Sequence, residues 1–344
     1  MKITLKDIAD RANVSISSVS RALNGTQSAA QVNEQTRQRI LQAAKELGYH
    51  KISASLRPNE NVAEKRIGLF LHHVKDKYQD PYFSEIIYGI ESELLDHGGV
   101  LDFTCEVNDI FDPGVFSGMN MHNLGVICLG QVKPEFLREL ARRVPLVFSV
   151  GGLPLPELDC VTVDFRGAAQ QAVQYLIGLG HRKIAFIGGS SSVGMPYDQE
   201  ERFIGYRMAL ESNGLPAVRE WIQDGGFNLA QSYEAMIRIL QAKERPTALF
   251  AASDKMAYGA YKAIQEYGLS IPGDISVVSF DDIEMSEFVN PSLTTFRVYK
   301  EEMGRIAVKL LMQRMEGQIP LPLVHLLPTR LMIRDSCRKL EAHS

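Results

Sequence analysis

Apolar residues recur every three or four positions through the first fifty residues, then change rhythm. In "TLKDIADRA", Leu5, Ile8, Ala9 and Ala12 fall on one face of a helix. Thr4 is placed to cap it, and Asp7 lies in the first turn, where the helix dipole favours a carboxylate. A second helix, "SISSVSRAL", follows the short connection Asn13-Val14, with Ser15 as its N-cap. A third is predicted over residues 33–47, with Ile40, Leu41, Ala44 and Leu47 on one face and Gly48 closing it. Residues 50–64 carry no sustained apolar pattern and read as a linker, with one short helical possibility around residues 51–57.

From Arg66 onward, buried-type strands alternate with amphipathic helices. "RIGLFLHHV" is a strand and residues 82–97 a helix; the strands "VLDFTCEV", "LGVICLG", "PLVFSV" and "DCVTVDF" come next, with the helix "PEFLRELARR" among them. Helices over 167–179, 200–212, 229–241 and 255–267 then interleave with the strands "KIAFIGG", "TALFAAS" and "ISVVSFDD". Such alternation predicts an α/β fold of parallel sheets with crossover helices, and about 280 residues suit two subdomains better than one sheet. Ligands of open α/β sheets bind outside the carboxyl ends of the strands. That places Ser253-Asp254, Asp281-Asp282 and the "GGSSSVG" loop near a candidate site.

The chain has 344 residues, 45% hydrophobic and 23% charged, an ordinary globular composition. It contains neither an apolar run long enough for a membrane span nor a secretory leader, so the cytoplasm is the expected compartment. Cys105, Cys128, Cys160 and Cys337 are widely spaced, which predicts free thiols, and no metal ligand set or other cofactor motif stands out. Charge is uneven. Residues 1–58 hold nine Lys/Arg against four Asp/Glu, and the remainder is acidic. A basic head on an acidic body suggests that the head meets a polyanion.

Two helices joined by "NV" match the helix–turn–helix unit, because Asn is one of the few residues comfortable in the left-handed region that such a turn requires. The second helix would then lie in the major groove of double-stranded DNA, its N-terminal residues at base edges. Val19, Ala22 and Leu23 can face the core, which turns Ile16 outward with Ser17, Ser20 and Arg21. An alternative is a sugar- or nucleotide-processing α/β enzyme. "GGSSSVG" is neither G-x-G-x-x-G nor a P-loop, no G-x-S-x-G is present, and adjacent carboxylates on one strand point to opposite faces. A ligand-independent architectural DNA-binding protein is the other alternative.

"TLKDIADRANVSISSVSRALNG", "VNEQTRQRILQAAKELGY", "RFIGYRMALESNGL", "PTALFAASDKMAYGAYKAIQEYGLSIPGDISVVSFDD" and "LLPTRLMIRDS" together resemble the LacI/GalR family of bacterial repressors over almost the whole chain. The resemblance implies a helix–turn–helix head (1–49), a hinge (50–64) and a periplasmic-binding-protein-like body (65–344). The body would divide into one subdomain of about 65–162 and 292–324 and another of about 163–291 and 325–336. By position, Ile16 and Ser17 fall where the family reads bases, and Arg21 where it places a groove-facing arginine. Thr4, Ser15, Ser20 and Asn24 fall at phosphate- or base-contacting places, and Leu56 where a leucine wedges into the minor groove. The linker is shorter than in the family and lacks its Pro-Asn. Tyr82, Phe83, Arg202, Phe227, Ser253 and Asp281 match cleft-lining places for a small carbohydrate effector. Val298 stands where a polar residue is common, and His73 is near enough in sequence to substitute for it. The resemblance further implies a homodimeric repressor without enzymatic activity, binding a pseudo-palindromic operator under the control of a sugar, a β-galactoside being one candidate.

Overall fold

The computed structural model describes residues 5–15, 18–19, 34–46, 66–72, 80–107, 124–130, 132–152, 154–189 and 199–340. They belong to two compact units, one of residues 1–66 with 94–100, the other of residues 67–93 with 101–344.

In the first unit, α1 (Leu5–Ala12) buries Ile8, Ala9 and Ala12, as the periodicity predicted. Asn13 adopts φ 52° and ends the helix, and the Val14 amide returns to the Ala9 carbonyl at 3.0 Å. Ser15 caps the next turn, its Oγ accepting from the Ser18 amide at 3.2 Å, and Val19 is fully buried. α2 (Glu34–Glu46) packs against α1 through Ile40 and Ala43. The predicted Leu41, Ala44 and Leu47 side chains lie outside those described.

The second unit holds two six-stranded sheets. The first has strand order β11-β5-β4-β3-β1-β2, built from β1 (Arg66–His72), β2 (Leu101–Val107), β3 (Leu124–Leu129), β4 (Leu146–Val150), β5 (Asp159–Val163) and β11 (Val324–Leu327). The second has order β12-β10-β9-β8-β6-β7, from β6 (Ile184–Gly188), β7 (Ile222–Asp224), β8 (Ala248–Ala251), β9 (Ser276–Asp281), β10 (Thr294–Val298) and β12 (Thr329–Met332). Every described pairing is parallel except β10 with β12. Both β3 and β9 are buried along their whole length, the mark of strands covered on both faces.

The helices of this unit are α3 (Pro81–Asp96), α4 (Pro134–Ala141), α5 (Phe165–Gly178), α6 (Glu201–Ser212), α7 (Leu229–Leu240), α8 (Asp254–Glu266), the short α9 (Met285–Phe288) and α10 (Lys300–Met315). Their crossings are made close by glycine. A Cβ on Gly205 of α6 would stand 2.3 Å from the Arg166 carbonyl of α5, and one on Gly304 of α10 2.2 Å from the Ile86 carbonyl of α3.

The return of the chain between sheets corrects the expected boundaries. The resemblance places residues 292–324 in the first subdomain, but β10 pairs with β9 in the second sheet. The chain crosses after Val298, and α10 packs on β3, β4 and β5. It then adds β11 to the first sheet and crosses back at Pro328, which lacks the amide that would continue a ladder. Alternating apolar residues look alike in either sheet; only pairing register assigns them. Asp159 secures the return, accepting from Arg314 Nε and the Leu323 amide, both at 2.9 Å.

All four cysteines are free, with Cys128 and Cys160 buried. No described helix is long and apolar enough to cross a membrane.

Candidate functional site

The carboxyl ends of the second sheet lie close to the start of α3, with Asp281 and Arg202 near enough to Tyr82 to act on its hydroxyl and Lys255 3.0 Å from Asp80. Asp281 ends β9 with φ 111° and Asp282 follows with φ 51°. Consecutive left-handed residues other than glycine are strained, and such strain persists where surrounding structure enforces it. Here the enforcement is visible. Lys300 Nζ donates to the Asp281 and Asp282 carbonyls at 2.9 and 3.2 Å. Arg297 Nε donates to Asp282 at 2.6 Å, and Arg334 forms an ion pair with the same carboxylate at 2.8 Å.

The Asp281 side chain accepts no hydrogen bond from any described residue. It is 7% exposed, and burial together with the nearby Asp254 carboxylate pushes its pKa well above the usual carboxylate range. Asp254, the first residue of α8, is fully buried but saturated. It accepts from Ser279, from Thr295 at 2.7 Å, from the Ile283 amide at 2.9 Å and from Ser286 at 2.6 Å. Asp254 therefore holds β9, β10 and α9 together, whereas the Asp281 side chain has no such donor among the described residues.

Arg202 lies beside Asp281 in the first turn of α6. Its guanidinium carbon is 4.9 Å from the ring centroids of Phe165 and Phe227 and 5.8 Å from that of Phe280. Its Nε donates to Glu200 at 2.7 Å and its Nη1 to the Ala252 carbonyl at 3.0 Å. Burial opposes its charge, but Glu200 and Asp281 outweigh that and raise its pKa. Phe227 reaches this position through a backbone at φ 51°. On the opposite wall, Tyr82 and Phe83 meet edge to face at 5.1 Å. Burial raises the Tyr82 pKa, with Asp281 and Arg202 both close enough to affect it. The same pair of walls is spanned by Lys255 of α8 and Asp80, 3.0 Å apart.

Of the expected cleft residues, the structure brings Tyr82, Arg202, Phe227 and Asp281 together, with Phe83 against Tyr82. Ser253 is the N-cap of α8, accepting from the Met256 amide at 3.3 Å. Val298 is buried in β10, and His73 lies outside the described residues. Thr4, Ile16, Ser17, Ser20, Arg21, Asn24 and Leu56 also lie outside them; of the head's expected contacts only Ser15 is described. Sequence reasoning missed Phe165, Phe280, Glu200 and Lys300. Glu200 had a signal, an acidic residue just before an apolar helical run, but its pairing with Arg202 two residues on depends on the cap geometry. Among the described residues no cluster could hold a metal ion.

A helix–turn–helix entry in one unit and a two-sheet α/β body with a polar, aromatic-walled cleft in the other define a ligand-responsive DNA-binding regulator. Residues 4–51 match the family described as bacterial regulatory proteins, lacI family, and residues 173–337 the periplasmic binding protein-like domain. The chain is 35% identical over 346 residues to the transcriptional repressor MelR of Bacillus subtilis, covering 97% of each. It is 34% identical over 341 residues to the repressor CytR of Escherichia coli, covering 98% of this chain and 97% of that one. Among solved structures, the complex of the transcriptional regulator CelR with cellobiose superposes with a TM-score of 0.69 at 30% identity, covering 97% of this chain and 99% of the other. The protein belongs to the LacI family of bacterial transcriptional regulators.

Proposed function

We propose that this protein is a repressor whose operator affinity is set by a small sugar bound at the cleft, and that it carries no catalytic activity. The observation that carries the reading is the unpaired Asp281 carboxylate beside the aromatic-caged Arg202, facing Tyr82. A carboxylate accepts from paired hydroxyls, a guanidinium donates in a rigid fork, and aromatic faces cover the C–H surface of a sugar ring. The solved relative CelR binds cellobiose, and a further regulator of this fold, from Enterococcus faecium, holds ribose. A β-galactoside is one candidate effector that the family resemblance suggests, with His73, Phe83 and Ser253 completing the cleft.

The head reads the operator. Ile16, Ser17 and Arg21 contact bases, while Thr4, Ser15, Ser20 and Asn24 hold phosphates or base edges. Leu56 enters the minor groove. The body divides after residue 64 from this head and hinge, and two copies bind a pseudo-palindromic site as a homodimer in the cytoplasm. The test is fluorescence anisotropy of a labelled operator with a panel of mono- and disaccharides. At least one sugar is expected to change operator affinity, and Asp281→Asn to abolish that response. A response that survives Asp281→Asn would remove Asp281 from the effector site.

A further inference from the structure

The charge of Arg202 is already answered inside the protein. Glu200 and Arg202 are 1% and 7% exposed at their side chains and form an ion pair at 2.7 Å. Glu200 also uses its second oxygen to accept from the Arg202 and Phe203 amides at 3.0 and 3.2 Å. A helix N-terminus pointing at a cleft is ordinarily a ready anion site, because its first amides lack partners and the dipole favours negative charge. In α6 an internal carboxylate occupies that place.

The same holds around the cleft. Asp80 accepts from the Tyr82 amide at the start of α3, at 3.1 Å. Asp164 accepts from the Gly167 amide in α5 at 2.8 Å, Asn228 from the Ala230 amide in α7 at 2.9 Å, and Ser253 caps α8. Two of the longer helices start without a side-chain cap bond: α4, on Pro134, and α10, whose first turn carries Glu301 and Glu302. The described cations of the cleft are also committed. Lys255 pairs with Asp80, and Lys300 is bound to two carbonyls and lies 3.3 Å from Glu85. Asp281 has no hydrogen bond or ion pair from a described residue, and the two cations near it, Arg202 and Lys300, are held by Glu200 and by backbone carbonyls.

We propose that Glu200 sets effector class: by neutralising and orienting Arg202 and filling the α6 N-terminus, it makes the cleft a receptor for neutral polyhydroxyl ligands and excludes sugar phosphates and sugar acids. This rests on the reading of the cleft as a sugar site. Glu200 is a positioning residue; Arg202 makes the contact. An anionic effector would have to enter beside Asp281 with no uncommitted described cation to meet it, and burying an unpaired charge is costly.

Two measurements on the full-length protein test this. In the first, thermal midpoints are followed against inorganic phosphate, with sodium chloride at matched ionic strength as reference, for the wild type, Glu200→Gln and the double variant Glu200→Gln/Arg202→Met. Glu200→Gln frees the guanidinium and is expected to gain a phosphate-dependent rise beyond that of the wild type, which the double variant loses. Equal phosphate responses in Glu200→Gln and wild type would overturn the proposal. In the second, calorimetry compares a neutral sugar with its own uronate and 6-phosphate on the wild type, so that the result does not depend on a variant folding. The neutral member is expected to bind at least tenfold more tightly. Tighter binding of an anionic member overturns the proposal and leaves the sugar reading standing. If no carbohydrate binds while Glu200→Gln still gains its phosphate response, the sugar reading fails and the charge assignment of Glu200 stands.

Discussion

Asp281 and Asp254 show what a buried carboxylate does with and without partners. Both are desolvated, which raises the pKa of each. Asp254 is compensated by four donors and is structural; Asp281 has none from the described residues. Its cost has a sign that can be measured. A carboxyl whose pKa is raised on folding stabilises the protein fully below the ordinary carboxylate pKa and loses that contribution as pH rises through the folded value. Asp281→Asn removes the ionisation. The variant is therefore expected to melt above the wild type at pH 8, with the difference shrinking as the pH falls towards 5. Thermal midpoints of both proteins across that range check it, and a pH-independent difference would mean that Asp281 is ionised in the folded protein throughout, its pKa not raised into that range. The thiols show the same desolvation in inert form: burial pushes Cys337 up to about 11 and Cys160 to about 12.

At the level of elements, the helices were legible because a stripe of apolar residues and a cap residue specify them locally. Ser15, Asn228 and Ser253 each cap the helix that follows, and Asn13 takes the left-handed turn that separates two helices. What local pattern does not carry is how closely helices approach. Gly304 and Gly178 are both helical, and helix propensity alone would favour alanine at each by up to about 1 kcal/mol. Gly304 lies against the Ile86 carbonyl, whereas nothing stands within 4 Å of a Cβ on Gly178. Gly304→Ala is expected to lose about 1–3 kcal/mol by overpacking, and Gly178→Ala to gain up to about 1 kcal/mol. Urea titrations of the two variants check the opposite signs. The return strands differ from expectation for a related reason: a strand-forming run does not say which sheet it joins, and only hydrogen-bonded register places β10 in one sheet and β11 in the other.

At the scale of the whole molecule, the chain crosses between its two sheets three times, after β5, after β10 and at Pro328. One end of the site's hydrogen-bond network lies at such a crossing. Lys300 starts the helix that returns to the first sheet while holding the Asp281 and Asp282 carbonyls of the second. A ligand that changes the spacing of the two halves has to work against this bond and the Lys255–Asp80 pair. If the sugar acts on operator binding, the coupling is reciprocal: operator must weaken or strengthen sugar binding by the same factor, typically about 1–3 kcal/mol of coupling. Calorimetric sugar affinities with and without operator duplex, compared with operator affinities with and without sugar, check the equality. Equal sugar affinity in both states would show that the cleft does not regulate the head.

The sequence alone determined the helix–turn–helix start, the α/β alternation, the free cysteines and several of the residues that meet around Asp281. Each depends on short-range periodicity, on capping chemistry, or on motifs whose residue types carry the recognition. Tertiary structure decided the rest. It assigned β10 and β11 to different sheets, caged Arg202 with Phe165, Phe227 and Phe280, set Glu200 against it, and left Asp281 unpaired while saturating Asp254. Those outcomes depend on which distant side chains share a buried space. There, removal from water makes each missing or supplied partner count, and spacing along the chain does not encode that sharing.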